Sequence, residues 1–391
     1  MAPEPPPRTS GGDGLFLPRD VLRKILQQLP ASLLCRLRAV CRSWRTLLSD
    51  PDLIGPLFAV FVPDTYAKEA DVLLLDASGR VVKRAMSCAG SSYPRFSSSQ
   101  LRGHRGLVCF VGADERLRVL DPATGAVTVL PDLRKTLATF VLGRAASMSK
   151  GGEGGEYKVL SITNYGKPFC KVLTLAHGGG GGCVWRDAPA PPPDAIISSS
   201  HSQSPWRAAV AEGVVYLLAM ASHSHPLKPA GCIVLFDLET EQWRPGLLQG
   251  PPSRTNAVES LAELDGRLVA VCGLASCAAS KIDLWLLMGS GDGEPALWHK
   301  LCKVPVSRIR QGDLDHVHEP LWVIEGGRVA FWVWSPNVGC SDELRSRRRV
   351  LRVYDPRTDT CEEVARIPSS MEFGVGLYTG NLPRVQGTRD N

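Results

Sequence analysis

Two clusters in this chain carry residue types that could bind a metal: His223 with His225, and His316 with His318 and Glu319. Histidines two apart on a strand point to one side, and imidazole with carboxylate is an ordinary zinc donor set. Both clusters sit among Pro and Asp in loop-like sequence, so neither a metal site nor a cofactor is expected. Two glycine runs, GSGDG at 289–293 and FGVGLYTG at 373–380, imitate phosphate-binding loops. Neither opens a helical pattern, and a phosphate loop relies on the N–H groups of a helix start, so both read as turns. No P-loop and no G-x-S-x-G nucleophile elbow occurs. The remaining chemistry is electrostatic: Arg345, Arg347, Arg348 and Arg349 form a basic run. It reads as a solvated loop or as a docking patch for an acidic segment. No catalytic residue is expected, and the chain reads as a binding protein.

The elements that position these residues are of two kinds. Residues 15–51, LFLPRDVLRKILQQLPASLLCRLRAVCRSWRTLLSDP, read as three short helices. Pro18 suits a first helical turn, where its missing N–H would have no partner anyway. Val21, Leu22, Ile25, Leu26 and Leu29 recur at steps of three and four, which is one helical face. Pro30 ends that helix and Ser32 can cap the next, which carries Leu33, Leu34 and Leu37. A third runs from about Cys41 to Ser49 with Val40, Trp44, Leu47 and Leu48 apolar, and Pro51 closes it. So short a segment cannot bury this much apolar surface within itself. It is expected to dock on another protein, with packing on its own chain as the alternative.

From residue 56 the helical period gives way to short apolar runs separated by Gly, Pro and Asp. LRVLDPATGAV, IVLFDLETEQW and LRVYDPRTDTC share one frame, an apolar run, Asp, two residues and Thr, with Asp121, Asp237 and Asp355 paired to Thr124, Thr240 and Thr358. Asp or Pro starts a turn and Thr or Gly completes it, so the frame is strand, turn, strand. The strand after each such turn is marked by Val82, Val127, Trp185, Trp243, Trp298 and Cys361, at spacings of 45, 58, 58, 55 and 63. A second marker, Gly before an apolar run, falls at Gly106, Gly155, Gly213, Gly266 and Gly327, at spacings of 49, 58, 53 and 61. Four strand-sized runs per unit of about fifty residues predict an all-β propeller of about six blades over 56–380. Two stacked sheets would explain the strands without requiring two markers of one period. The ring is expected to close by pairing 58–63 with 373–378. Trp185, Trp243 and Trp298 recur at repeat spacing and are expected in the blade core rather than stacked on a ligand.

Composition sets the outer bounds. The 391 residues are 44% hydrophobic and 21% charged, ordinary globular usage. The formal net charge of +6 is spread along the chain and does not argue for nucleic acid. Twelve cysteines are scattered without a C-x-x-C pair, and no apolar leader or membrane-length run appears. The chain is therefore expected to be intracellular and reduced, in cytoplasm or nucleus, with no membrane span. Residues 1–14 read as a disordered Pro/Gly-rich leader and 381–391 as a tail.

Residues 15–55 resemble an F-box. The Leu17-Pro18 start, the Ile25-Leu26 pair, Leu29-Pro30 and the run from Val40 and Cys41 to Trp44-Arg45 fall in order and at familiar spacing. The resemblance implies a Skp1-facing set of Leu17, Pro18, Ile25, Leu26, Leu29, Pro30, Leu37, Val40, Cys41 and Trp44. It also implies a cullin reached through Skp1. The repeat region resembles the kelch-like and F-box-associated propellers that follow F-boxes in plant proteins, although no clean kelch Gly-Gly doublet occurs beyond Gly326-Gly327. The expected fold is α+β multidomain: a small three-helix F-box at 15–55, then the propeller as a separate domain at 56–380. The expected function is substrate recognition for a Skp1–cullin–F-box ubiquitin ligase, with an unidentified target protein held by propeller loops. The alternatives are a Skp1-binding scaffold without ubiquitylation and a propeller enzyme of the galactose-oxidase type.

Overall fold

In this computed structural model the described residues are 18–27, scattered positions from 29 to 48, the strands between 57 and 378, and the tighter turns. Helix α1 spans Arg19–Gln27, and the Pro18 carbonyl accepts its first backbone bond from Leu22 N–H at 3.0 Å. Leu33, Leu34, Leu37 and Trp44 are helical, and Cys41 Sγ accepts from the Trp44 N–H at 3.5 Å, a capping position for the turn that follows. The rest of the second and third expected helices lies outside the described residues.

The described strands form six four-stranded antiparallel sheets. The first joins β1 (Leu57–Asp64), β2 (Glu69–Leu75) and β3 (Val81–Ala89) to the last strand of the chain, β24 (Val375–Tyr378). The second holds β4 (Arg102–His104), β5 (Leu107–Val111), β6 (Leu117–Asp121) and β7 (Ala126–Val129). The third holds β8 (Thr139–Arg144), β9 (Tyr157–Thr163), β10 (Phe169–Thr174) and β11 (Arg186–Ala188). The fourth holds β12 (Ala208–Ala211), β13 (Val214–Leu218), β14 (Ile233–Asp237) and β15 (Gln242–Trp243). The fifth holds β16 (Val258–Leu264), β17 (Arg267–Cys272), β18 (Lys281–Gly289) and β19 (Leu297–Pro305). The sixth holds β20 (Val317–Ile324), β21 (Arg328–Trp334), β22 (Arg349–Asp355) and β23 (Thr360–Ile367).

The innermost strands β24, β4, β8, β12, β16 and β20 lie side by side in that order, and β20 returns to β24. This closed cycle of sheets is a β-propeller. Closure is made by the chain ends: Leu57 pairs with Tyr378 and Val60 with Val375. Each core lies between two sheets. Along β13, Val215 and Leu217 face the third sheet while Val214, Tyr216 and Leu218 face the fifth. Both faces of the strand are therefore buried, which explains a continuous apolar run instead of an alternating one.

The two sequence markers prove to be two turns at one end of the ring. Gly213, Gly266 and Gly327 lie in the hairpins between first and second strands, with φ of 79°, 82° and 79°. Glu212 before Gly213 is also left-handed, φ 49°, as a type I′ hairpin turn requires. The Asp frames form the turns between third and fourth strands. Asp237 Oδ1 accepts from the N–H groups of Glu239 and Thr240 at 2.9 and 3.1 Å, and Asp355 Oδ1 from Arg357 N–H at 2.9 Å. The fifth frame position is left-handed each time, as Gly125, Glu241 and Asp359, with φ of 77°, 57° and 53°.

The helical segment is not separate from the ring. Leu26, Leu34 and Leu48 belong to one buried cluster with Leu57, Val72, Leu74, Val108, Phe110, Leu120 and Tyr378 from the first two sheets. Three large apolar side chains of the helical segment thus find cover on the first two sheets.

Candidate docking surfaces

Burial sorts the apolar residues of the helical segment into two groups. Leu26, Leu34 and Leu48 are 1%, 2% and 0% exposed, whereas Val21, Ile25, Leu33 and Val40 are 43%, 44%, 39% and 66% exposed. Pro18 and Cys41 are exposed as well. Val21 and Ile25 stand four apart on α1, one turn above each other on the same side. Lys24 lies exposed between them in sequence. Val21 and Ile25 therefore present neighbouring apolar side chains to solvent beside the buried Leu26.

The ten residues that the F-box resemblance implies divide accordingly. Pro18, Ile25, Val40 and Cys41 are exposed. Leu29, Leu37 and Trp44 are half-buried against the first-sheet cluster, and Leu26 is fully buried in it. Leu17 and Pro30 lie outside the described residues. Val21 and Leu33 join the exposed group although the resemblance did not include them; their place in the apolar period was the available signal.

Of the basic run, Arg345, Arg347 and Arg348 lie outside the described residues, while Arg349 opens β22 and pairs through its backbone with Trp334 and Ile367. His223, His225 and His316 also lie outside, and His318 and Glu319 are strand residues of β20. Among the described residues, no three His, Cys, Asp or Glu side chains come together as a metal donor set. Burial pushes the thiols of Cys170 and Cys272 up to about 12, with Glu241 and Asp283 respectively adding to the effect, so neither is a ready nucleophile.

Two contacts that the sequence did not expose hold neighbouring sheets together. The indole N–H groups of Trp185, Trp243 and Trp298 donate to the carbonyls of Pro131, Pro189 and Gln249 at 2.9, 2.8 and 2.9 Å. Each acceptor follows the outer strand of the preceding sheet, so the recurring Trp is a latch between sheets as well as core packing. The second contact is ionic. Buried Lys158 on β9 donates through Nζ to Leu238 O at 2.6 Å and Glu241 Oε1 at 2.8 Å in the fourth sheet's turn. Arg186 donates to the same Glu241 oxygen at 2.5 Å and to Thr174 Oγ1 at 2.9 Å. Burial alone would raise the Glu241 carboxyl, but hydrogen bonds from Lys158 and Arg186 outweigh it and hold the group below its ordinary value.

Comparison with known proteins places this geometry. The F-box-like family matches residues 15–54. The F-box protein At3g07870 of Arabidopsis thaliana is 24% identical over 95% of this chain and 93% of its own length. The Arabidopsis thaliana F-box/kelch-repeat protein At4g19930 is 24% identical over 60% of this chain and 58% of its own. A match with the Arabidopsis thaliana F-box sequence At3g17500, 26% identical, spans 38% of this chain and less than half of that relative, 41%. Among solved structures, the β-propeller domain of the Trilobed protease from Pyrococcus furiosus is 10% identical, covers 79% of this chain and 78% of that one, and gives a TM-score of 0.37. The complex of KlAtg21 with the coiled coil of AgAtg16 is 10% identical, covers 80% of this chain and 82% of that one, and gives 0.40. The fold stands on the strand order and ring closure above.

Proposed function

We propose that this chain, an F-box protein with a β-propeller, is the substrate-recognition subunit of a Skp1–cullin–F-box ubiquitin ligase. One observation carries the reading. In the segment matched as F-box-like, part of the apolar surface is consumed by the chain's own core, and Pro18, Val21, Ile25, Leu33 and Val40 remain in water. A Skp1-type adaptor would cover that remainder, and the adaptor would bring a cullin. Each exposed aliphatic side chain that becomes buried contributes about 1.5–3 kcal/mol.

The propeller in this reading has six blades, one per sheet, and presents its loops to a target protein. The chain contributes no catalytic group. It raises the concentration of the target beside a ubiquitin-charged enzyme, an effective-concentration mechanism. The working compartment is cytoplasm or nucleus, in keeping with thiols outside any disulfide at Cys170, Cys272 and Cys361. Co-purification with a Skp1-type adaptor and cullin tests the reading, together with target half-life when the receptor is removed. Stable capture and a target that persists without the receptor support it; no capture contradicts it.

A further inference from the structure

The ring closes at one seam. Every other pair of neighbouring strands within the six sheets is consecutive along the chain, whereas β1 pairs with β24 from the far end. The pairing runs from Leu57 with Tyr378 to Val60 with Val375. No turn ties these two strands together, so their separation frees both ends of the repeat region and is opposed by the contacts across the seam. Leu57 and Tyr378 are both buried, and they share one apolar cluster with Leu26, Leu34 and Leu48 of the helical segment. The same cluster takes Val72 and Leu74 from β2 and Val108 and Phe110 from β5. The helical side chains are thus packed with the seam and with the sheet beside it. Exposure changes abruptly along that segment: Ile25 stands in water next to buried Leu26, and Leu33 next to buried Leu34. One stretch of backbone therefore carries both the surface left for a partner and the surface that covers the seam.

We propose that the helical segment is the clasp of the propeller, and that a Skp1-type adaptor bound to its exposed side tightens ring closure through Leu26, Leu34 and Leu48. The inference rests on the receptor reading and adds a regulatory consequence to it. Opening the seam uncovers Leu57 and Tyr378 and takes from the three helical leucines the surface that holds them. Helix α1 has nine residues, and a helix so short keeps its structure mainly through tertiary packing. The arrangement of Ile25, Leu33 and Val40 is therefore lost with the seam. A partner that needs those side chains in one arrangement binds the closed ring and not the open one. At about a hundred times its Kd such a ligand lowers the open fraction about a hundredfold. The coupling is reciprocal, so a ring that opens more readily also holds the adaptor less well. Closure of the recognition domain is then most complete when the ligase is assembled.

Hydrogen–deuterium exchange on the full chain, free and saturated with a Skp1-type adaptor, tests the clasp. In the free chain, residues 375–378 at the seam should exchange faster than 214–218 in the fourth sheet, because the seam opens without unfolding the ring. The adaptor should slow exchange at the seam about tenfold or more. Leu34→Ala, at a buried position outside the exposed group, should speed seam exchange about tenfold or more in the free chain. Leu34→Val should shift it in the same direction by less, which keeps the test open if the alanine variant fails to fold. Trp243→Phe weakens the fourth sheet, across the ring, and should leave the seam within about twofold. Seam exchange no faster than that of 214–218, or moved equally by the changes at Leu34 and Trp243, would overturn the proposal. Adaptor capture without slower seam exchange would also overturn it and would leave the receptor reading standing. Absence of capture contradicts the receptor reading and the adaptor's part in the proposal with it, and the Leu34 variants then decide the clasp alone.

Discussion

Glu241 is a non-glycine residue in left-handed backbone, φ 57°, whose side chain gathers Lys158 and Arg186 from the neighbouring sheet. Its carboxyl and that of Asp237 are both held below their ordinary values. For Asp237, burial would raise the group, and hydrogen bonds from Arg244, Thr240 and Glu239 outweigh it. A carboxyl whose folded value is depressed contributes stability that is full above its unfolded value and lost as pH falls through the folded one. Melting temperature should therefore decline below about pH 4, with Glu241→Gln flattening that decline; an unchanged acid limb in the variant would contradict the clamp. The helical residues give a sharper contrast. Leu48→Ala should cost about 2–5 kcal/mol by opening a cavity in the first-sheet cluster. Val40→Asp should leave stability within about 0.5 kcal/mol and abolish adaptor capture. Thermal unfolding and adaptor pull-down on both variants check this.

At the scale of elements, one turn type makes two different predictions. A Cβ on Gly213 would stand 2.5 Å from Ala146 N, while one on Gly266 would meet nothing within 4 Å. Both glycines are left-handed, so Gly266→Ala should cost about 1 kcal/mol of backbone strain. Gly213→Ala should cost more, because the third sheet's backbone must also move. Denaturant midpoints that ranked them the other way would contradict the packing. These turns were readable beforehand because a hairpin needs Gly at a fixed place and an Asp-started turn needs its carboxylate, so both left periodic marks. The Trp latch was half readable: the spacing of Trp185, Trp243 and Trp298 showed a repeat, but an N–H has no sequence signature for its acceptor carbonyl. Trp243→Phe should keep the packing on Phe236 and lose about 0.5–1.5 kcal/mol with the bond to Pro189.

At the scale of the whole molecule, ring closure was readable because a propeller must join its ends, and 58–63 and 373–378 are the first and last apolar runs of the repeat region; β1 and β24 pair over Leu57–Val60. One property was not readable. Leu26, Leu34 and Leu48 looked like any other member of an apolar helical face, and only the fold shows them covered by the closing sheet. The receptor account depends above all on the exposed half of the helical surface. Adaptor capture by the full chain, compared with an Ile25→Asp, Val40→Asp double variant of the same melting temperature, measures that dependence directly. The account predicts stable capture by the parent chain and none by the variant. Capture that survives the double change would mean that these side chains are not the docking face, and the account would fail at its centre.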